Sequence, residues 1–127
     1  MDMGGYAYIS PAVNLQVTGQ AGFTLNKGVA VFKKTSNDIW IMEGFIDATQ
    51  NSNATGTVTI GGIVFPAVGS QACSITASIG SVTSLTASAA AGGSSITITF
   101  NAAYTVIKVS FNCFLASKPT AYLPDGV

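Results

Sequence analysis

Residues 38–48, DIWIMEGFIDA, decide how the rest of the chain is read. In an extended strand Ile39, Ile41, Glu43 and Phe45 fall on one face, and Trp40, Met42, Gly44 and Ile46 on the other. Both faces are largely apolar, the pattern of a central strand covered on two sides. Trp40 lies mid-strand between apolar neighbours and reads as core, not as an exposed platform for a sugar ring.

The same period of two extends outward from this strand. Upstream, in 28–34 (GVAVFKK), Val29 and Val31 point one way and Ala30 and Phe32 the other. Downstream a turn signal occupies Gln50 to Gly56, and TVTI and IVFPA around Gly61-Gly62 read as a tight hairpin. Residues 72–79 place Cys73, Ile75, Ala77 and Ile79 inward against Ser74, Thr76 and Ser78. The Ser- and Ala-rich stretch 84–93 reads as a loop, and SSITITF sets Ile96, Ile98 and Phe100 opposite Thr97 and Thr99. The strongest apolar face belongs to 104–117, with Ile107, Val109, Phe111, Cys113 and Leu115. No amphipathic helix competes, and no internal repeat is evident. The expectation is an all-β, antiparallel β-sandwich, jelly-roll-like, with extended arms. Its parts are an N-terminal arm (1–18), a sandwich domain (19–117) and a C-terminal arm (118–127) whose Pro119 and Pro124 suit a strap.

Composition excludes several function classes. Of 127 residues only 8% are charged, five Lys against five Asp or Glu, with no Arg and no His. Nucleic acid is an improbable partner without a cationic surplus, and disorder needs the reverse composition. Polarity comes from 13 Ser, 14 Thr and 14 Gly, and no apolar run reaches membrane-spanning length. No membrane insertion is therefore expected. Met1-Asp2-Met3-Gly4-Gly5 lacks the basic start and apolar stretch of a secretory signal, so synthesis in a cytoplasm is expected.

The residues that could carry chemistry point away from an enzyme. Without His, the usual Ser–His and Cys–His nucleophiles and the commonest metal ligand are missing. Glu43 and Asp47 share a strand face about 13 Å apart along the backbone at ~3.3 Å per residue, farther than paired glycosidase carboxyls. Asp38 could fold in from its loop, but a solvated or salt-bridged role is the simpler one for all three. Cys73 and Cys113 form no CxxC motif and read as buried free thiols; a disulfide between adjacent strands is the alternative, disfavoured in a reducing cytoplasm. The glycines make no phosphate-binding loop. Lys27, Lys33 and Lys34 read as a solvated face or edge guard. Asn53-Ala54-Thr55 matches a glycosylation acceptor, and the pairs Thr57/Thr59 and Thr97/Thr99 read as the outward face of a sheet. No catalytic residue, cofactor or metal site is expected.

The arms carry the candidate subunit-interface residues Tyr6, Tyr8, Ile9, Val13, Tyr122 and Leu123. They are apolar or amphipathic groups among Gly and Pro, on a chain with little charge to keep copies apart.

From Phe32 to about Ser117 the order of elements resembles the terminal β-sandwich domains of bacteriophage tail fibres and related virion appendages. The resemblance lies in IWIMEGFI with its mid-strand Gly44, then GTVTIGGIVFPA, then a late strand opening at Tyr104. The chain starts at a Met with no shaft, coiled coil or repeat before the domain, and it lacks a charged, loop-rich tip. Both departures favour a small separate virion protein, such as a capsid decoration or cement protein. The resemblance implies a homo-oligomer, often a trimer, displayed on the virion surface beside other virion proteins, without enzymatic activity. The alternative is a tail-fibre or tail-tip knob that binds a host cell-surface glycan.

Overall fold

The computed structural model describes residues 5–19, 22–51, 55–67, 73–79, 82–99 and 104–127. Every regular element among them is a strand: β1 (Tyr6–Ile9), β2 (Val13–Asn14), β3 (Gln16–Thr18), β4 (Phe23–Thr35), β5 (Trp40–Gln50), β6 (Thr55–Gly61), β7 (Cys73–Ile79), β8 (Val82–Ala89), β9 (Ser95–Thr99) and β10 (Tyr104–Leu115). All pairings are antiparallel, and the strands follow one path, β1-β4-β5-β10-β7-β8-β9-β6-β3, with β2 also on β4. The path folds into a β-sandwich. A front sheet holds β1, β2, β4, β5, β10 and β7, and a back sheet holds β8, β9, β6 and β3.

Alternation supplies the core. Phe32, Trp40, Met42, Ile46, Ala48, Ile107, Val109, Phe111 and Cys113 line the inner face of the front sheet, and Val58, Ile60, Ile96 and Ile98 that of the back. Trp40 is buried, as its neighbours predict. Gly44 is required by close approach. A Cβ there would lie 3.0 Å from the Phe111 ring, 3.2 Å from Ala30 Cβ and 3.2 Å from the Val29 carbonyl oxygen. The Phe111 side chain thus crosses β5 where a larger residue would lift it.

Two segments change sheets, so the sandwich is nearly closed at both sides. The first part of β8 pairs with β7 (Leu85 opposite Ala77), and the rest pairs with β9 (Thr86 to Ala89). On the far side the N-terminal segment runs antiparallel along β4, with Ile9 opposite Lys33 and Val13 opposite Ala30. The Leu15 N–H donates to the Gly28 carbonyl at 2.9 Å, and the chain then leaves for β6, with Val17 opposite Ile60. Where Pro11 interrupts this ladder, buried Ser10 repairs it. Its N–H donates to the Phe32 carbonyl, and its Oγ accepts from the Phe32 N–H, both at 2.8 Å. Residues 6–18, read as an arm, therefore supply three short strands that leave little open sheet edge.

Residues 62–66 and the C-terminal segment close one end. The expected hairpin around Gly61-Gly62 does not form. Gly62, at φ +82°, turns the chain away, and 62–66 crosses the end of the sandwich with Ile63 and Phe65 buried. Its Phe65 N–H donates to the Gly93 carbonyl, and the Ile60 N–H to that of Ser94, both at 2.8 Å. Paired apolar runs around Gly-Gly look alike whether the second run forms a strand or an end plug. Ala116 donates to the Val64 carbonyl at 2.8 Å, and Pro119 is fully buried, so the C-terminal strap lies on its own domain.

Two further expectations are corrected. Residues 84–89, read as loop, belong to β8, because Leu85, Ala87 and Ala89 alternate with Ser84, Thr86 and Ser88 as a strand requires. The cysteines are not free thiols. Cys113 is disulfide-bonded and no cysteine is free; the chain's other cysteine, Cys73, stands directly opposite on β7. Cross-strand neighbours on one face fall within the reach of a disulfide, and that register is invisible in a spacing of forty residues. Asn53 and Ala54 of the glycosylation match, and Phe100, lie outside the described residues.

Candidate functional site

The outward positions of the two sheets differ in kind. On the back sheet Gln16, Thr18, Thr57, Thr59, Ser88, Ser95 and Thr97 cover the core strands, and none is charged. The Thr pairs noted in the sequence stand side by side, since Thr57 is opposite Thr97 and Thr59 opposite both Ser95 and Thr18. On the front sheet the outward positions fall into rows across β4, β5 and β10. These are Lys27, Asp47 and Lys108; Val29, Phe45 and Ser110; Val31, Glu43 and Asn112; and Lys33, Ile41 and Phe114. Ile9 of β1 extends the last row.

The front face therefore combines charge and apolar area. Phe114 is 48% exposed, Ile39 at the entry to β5 45%, and Ile9 38%; among the described residues the remaining exposed large apolar residue is Val64. Val29, Val31, Ile41 and Phe45 are half-buried, so the second apolar face of 38–48 is not covered by a further layer among the described residues. Lys33 Nζ meets Glu43 Oε1 at 2.9 Å. The hydrogen bond to that carboxylate holds the ammonium above its usual pKa, against partial desolvation. Lys34 stands 3.8 Å from Asp38, and its Nζ lies 5.9 Å from the Trp40 ring centre. Glu43 and Asp38 are thus engaged with lysines along and beside one face.

A shallow, open depression of about 500 Å³ lies in this face, lined by Ala12, Val29, Val31, Glu43, Phe45 and Asn112 with the backbone between them. Phe45, Glu43 and Asn112 border it together with Phe111. Among the described residues no group of three or more His, Cys, Asp or Glu could hold a metal ion.

The six predicted interface residues lie in separate places. Tyr8 meets Trp40 edge-on, with ring centres 6.1 Å apart. Tyr6 receives the Lys33 ammonium 5.1 Å from its ring centre. Val13 and Leu123 pack against the core, and Ile9 is exposed beside the front face. Tyr122 stacks on Phe32 at 5.2 Å. Its hydroxyl donates to the Gly61 carbonyl and accepts from the Gln16 N–H, the latter at 3.1 Å. Burial pushes the Tyr122 phenol above its ordinary pKa, partly offset by the Gln16 N–H. The residues that end-segment reasoning missed are Ile41, Phe45 and Phe114. Ile41 and Phe45 were visible in the second apolar face of 38–48, whereas Phe114 joins them only through the pairing of β10 with β5.

The chain matches no protein-family model, no curated protein and no solved structure.

Proposed function

We propose that the chain is a non-enzymatic bacteriophage virion protein, a homo-oligomeric β-sandwich displayed on the particle surface as a capsid decoration or cement protein. The observation that carries this reading is the contrast between the outer faces. An apolar, mixed-charge face backed by a rigid sandwich suits contact with another protein, and an uncharged hydroxyl face suits solvent. The resemblance of Phe32 to Ser117 to tail-appendage sandwiches supplies the setting. A cytoplasmic origin fits the disulfide if that bond forms after release from the host.

A second reading has its own observation. The depression with Phe45, Glu43 and Asn112 offers a ring, a carboxylate and an amide, the groups with which a tail-fibre or tail-tip knob holds a host glycan. Mass spectrometry of purified particles and a glycan array with the full chain separate the two. The decoration reading expects the chain in intact particles in many copies, without glycan retention. A chain that is monomeric, absent from particles and retained on glycans overturns it in favour of the knob.

A further inference from the structure

We propose that the front face is a self-complementary interface that pairs two copies of this chain about a twofold axis. The inference rests on the reading of the protein as self-associating, and it moves the contact from the chain ends to the outward side chains of β5 and β10. The end residues are largely engaged by their own sandwich, with Tyr8 on Trp40, Tyr122 on Phe32, and Val13 and Leu123 on the core. The exposed apolar residues Phe114, Ile39 and Ile9 gather at one end of the front face instead.

The occupant follows from the register. On β5 and β10, Asp47 is opposite Lys108, Glu43 opposite Asn112, and Ile41 opposite Phe114. A twofold axis parallel to the strands and midway between β5 and β10 exchanges these two columns. Packed face to face, Asp47 of one copy then meets Lys108 of the other, and the reverse contact forms by symmetry. Glu43 meets Asn112 of the second copy, a carboxylate before an amide donor, and Ile41 meets Phe114 across the apolar row. Every charged or strongly polar position of one column thus faces an attractive position of the other, which an isologous contact requires. Sheets stacked face to face lie roughly 10 Å apart and within about 30° of alignment, close enough for these side chains to interleave.

Sedimentation velocity of the full chain at matched concentrations tests the pairing through charge. Asp47→Lys places like charges opposite each other in a pair of identical copies, as does Lys108→Asp. Each variant alone should dissociate, with the dissociation constant raised at least tenfold. Mixed in equal amounts they should recover the pair, because the lysines at 47 and 108 of one chain then meet the aspartates at 108 and 47 of the other. Phe114→Lys should also dissociate the pair, whereas Thr57→Lys on the back face should not. Circular dichroism of each variant checks that the sandwich persists. A monomeric wild-type chain, or a mixture that stays monomeric, overturns the proposal. An oligomer indifferent to all the front-face changes also overturns this arrangement but leaves self-association, and with it the decoration reading, intact.

Discussion

The two outer faces are made by one alternation rule and differ only in what fills the outward positions. Behind the back face Val58, Ile60, Ile96 and Ile98 are as buried as Phe32, Met42, Ile46 and Val109 behind the front. The inner faces therefore say little about function. Outward, the back sheet repeats Thr and Ser, whose β-branched or small side chains fit a pleated surface and hydrogen-bond to water. The front sheet places Val29, Val31, Ile41, Phe45 and Phe114 among lysines and acids. In an antiparallel sandwich, the sheet whose outward residues are of core quality is the one to examine for a partner.

That comparison can be broken in several places. The front sheet is stapled by the cysteine pair, so reduction or Cys113→Ala should lower stability by about 3–4 kcal/mol for a loop running from 73 to 113. Urea unfolding with and without reductant reads this directly, and an unchanged midpoint would mean that the staple adds nothing. Gly44→Val should cost about 2–3 kcal/mol by overpacking, since its Cβ would press on Phe111, Ala30 and the Val29 carbonyl. A thermal melt of the variant that matches wild type would show that β5 can shift.

Tyr122→Phe removes the hydroxyl from between Gln16 and Gly61 and should cost about 1 kcal/mol. Because the folded phenol has a pKa above its usual 10.0, the unfolded chain loses that proton first as pH rises. Stability should be intact below about pH 10 and decline above it. Tyr122→Phe should flatten this alkaline limb in pH-dependent denaturation. The smallest effect belongs to the back face, where Thr57→Ala should fall within about 0.5 kcal/mol. A larger loss there would mean that the hydroxyl layer is structural.

The legible part of the fold was whatever period two controls. Trp40 as core, the inward run Ile107 to Leu115 and the outward Thr57 and Thr97 all follow from alternation. Pairing was not legible, because register and partner choice depend on distant strands. Ile63 and Phe65 plug an end instead of forming a hairpin, and Ser84 to Ala89 bridge two sheets. The cysteines meet only because β10 enters beside β7. For the site, charge scarcity and apolar chain ends drew attention to Tyr6 and Tyr122. The apolar outward row of β5 and β10 is a property of two strands in register, which neither strand reveals alone.

The place of β10 has a consequence for how the protein is made. It is the final strand in the chain order, yet it lies in the middle of the front sheet, between β5 and β7. Until it arrives, β5 and β7 each present an unpaired edge. The front sheet therefore cannot assemble while the ribosome is still adding residues 104–115, however early β4 and β5 form their own hairpin. Nascent chains stalled before Tyr104 should be protease-sensitive and prone to aggregate. The same insertion brings Cys113 opposite Cys73, so in the native order of assembly the disulfide seals the strand that completes the front sheet.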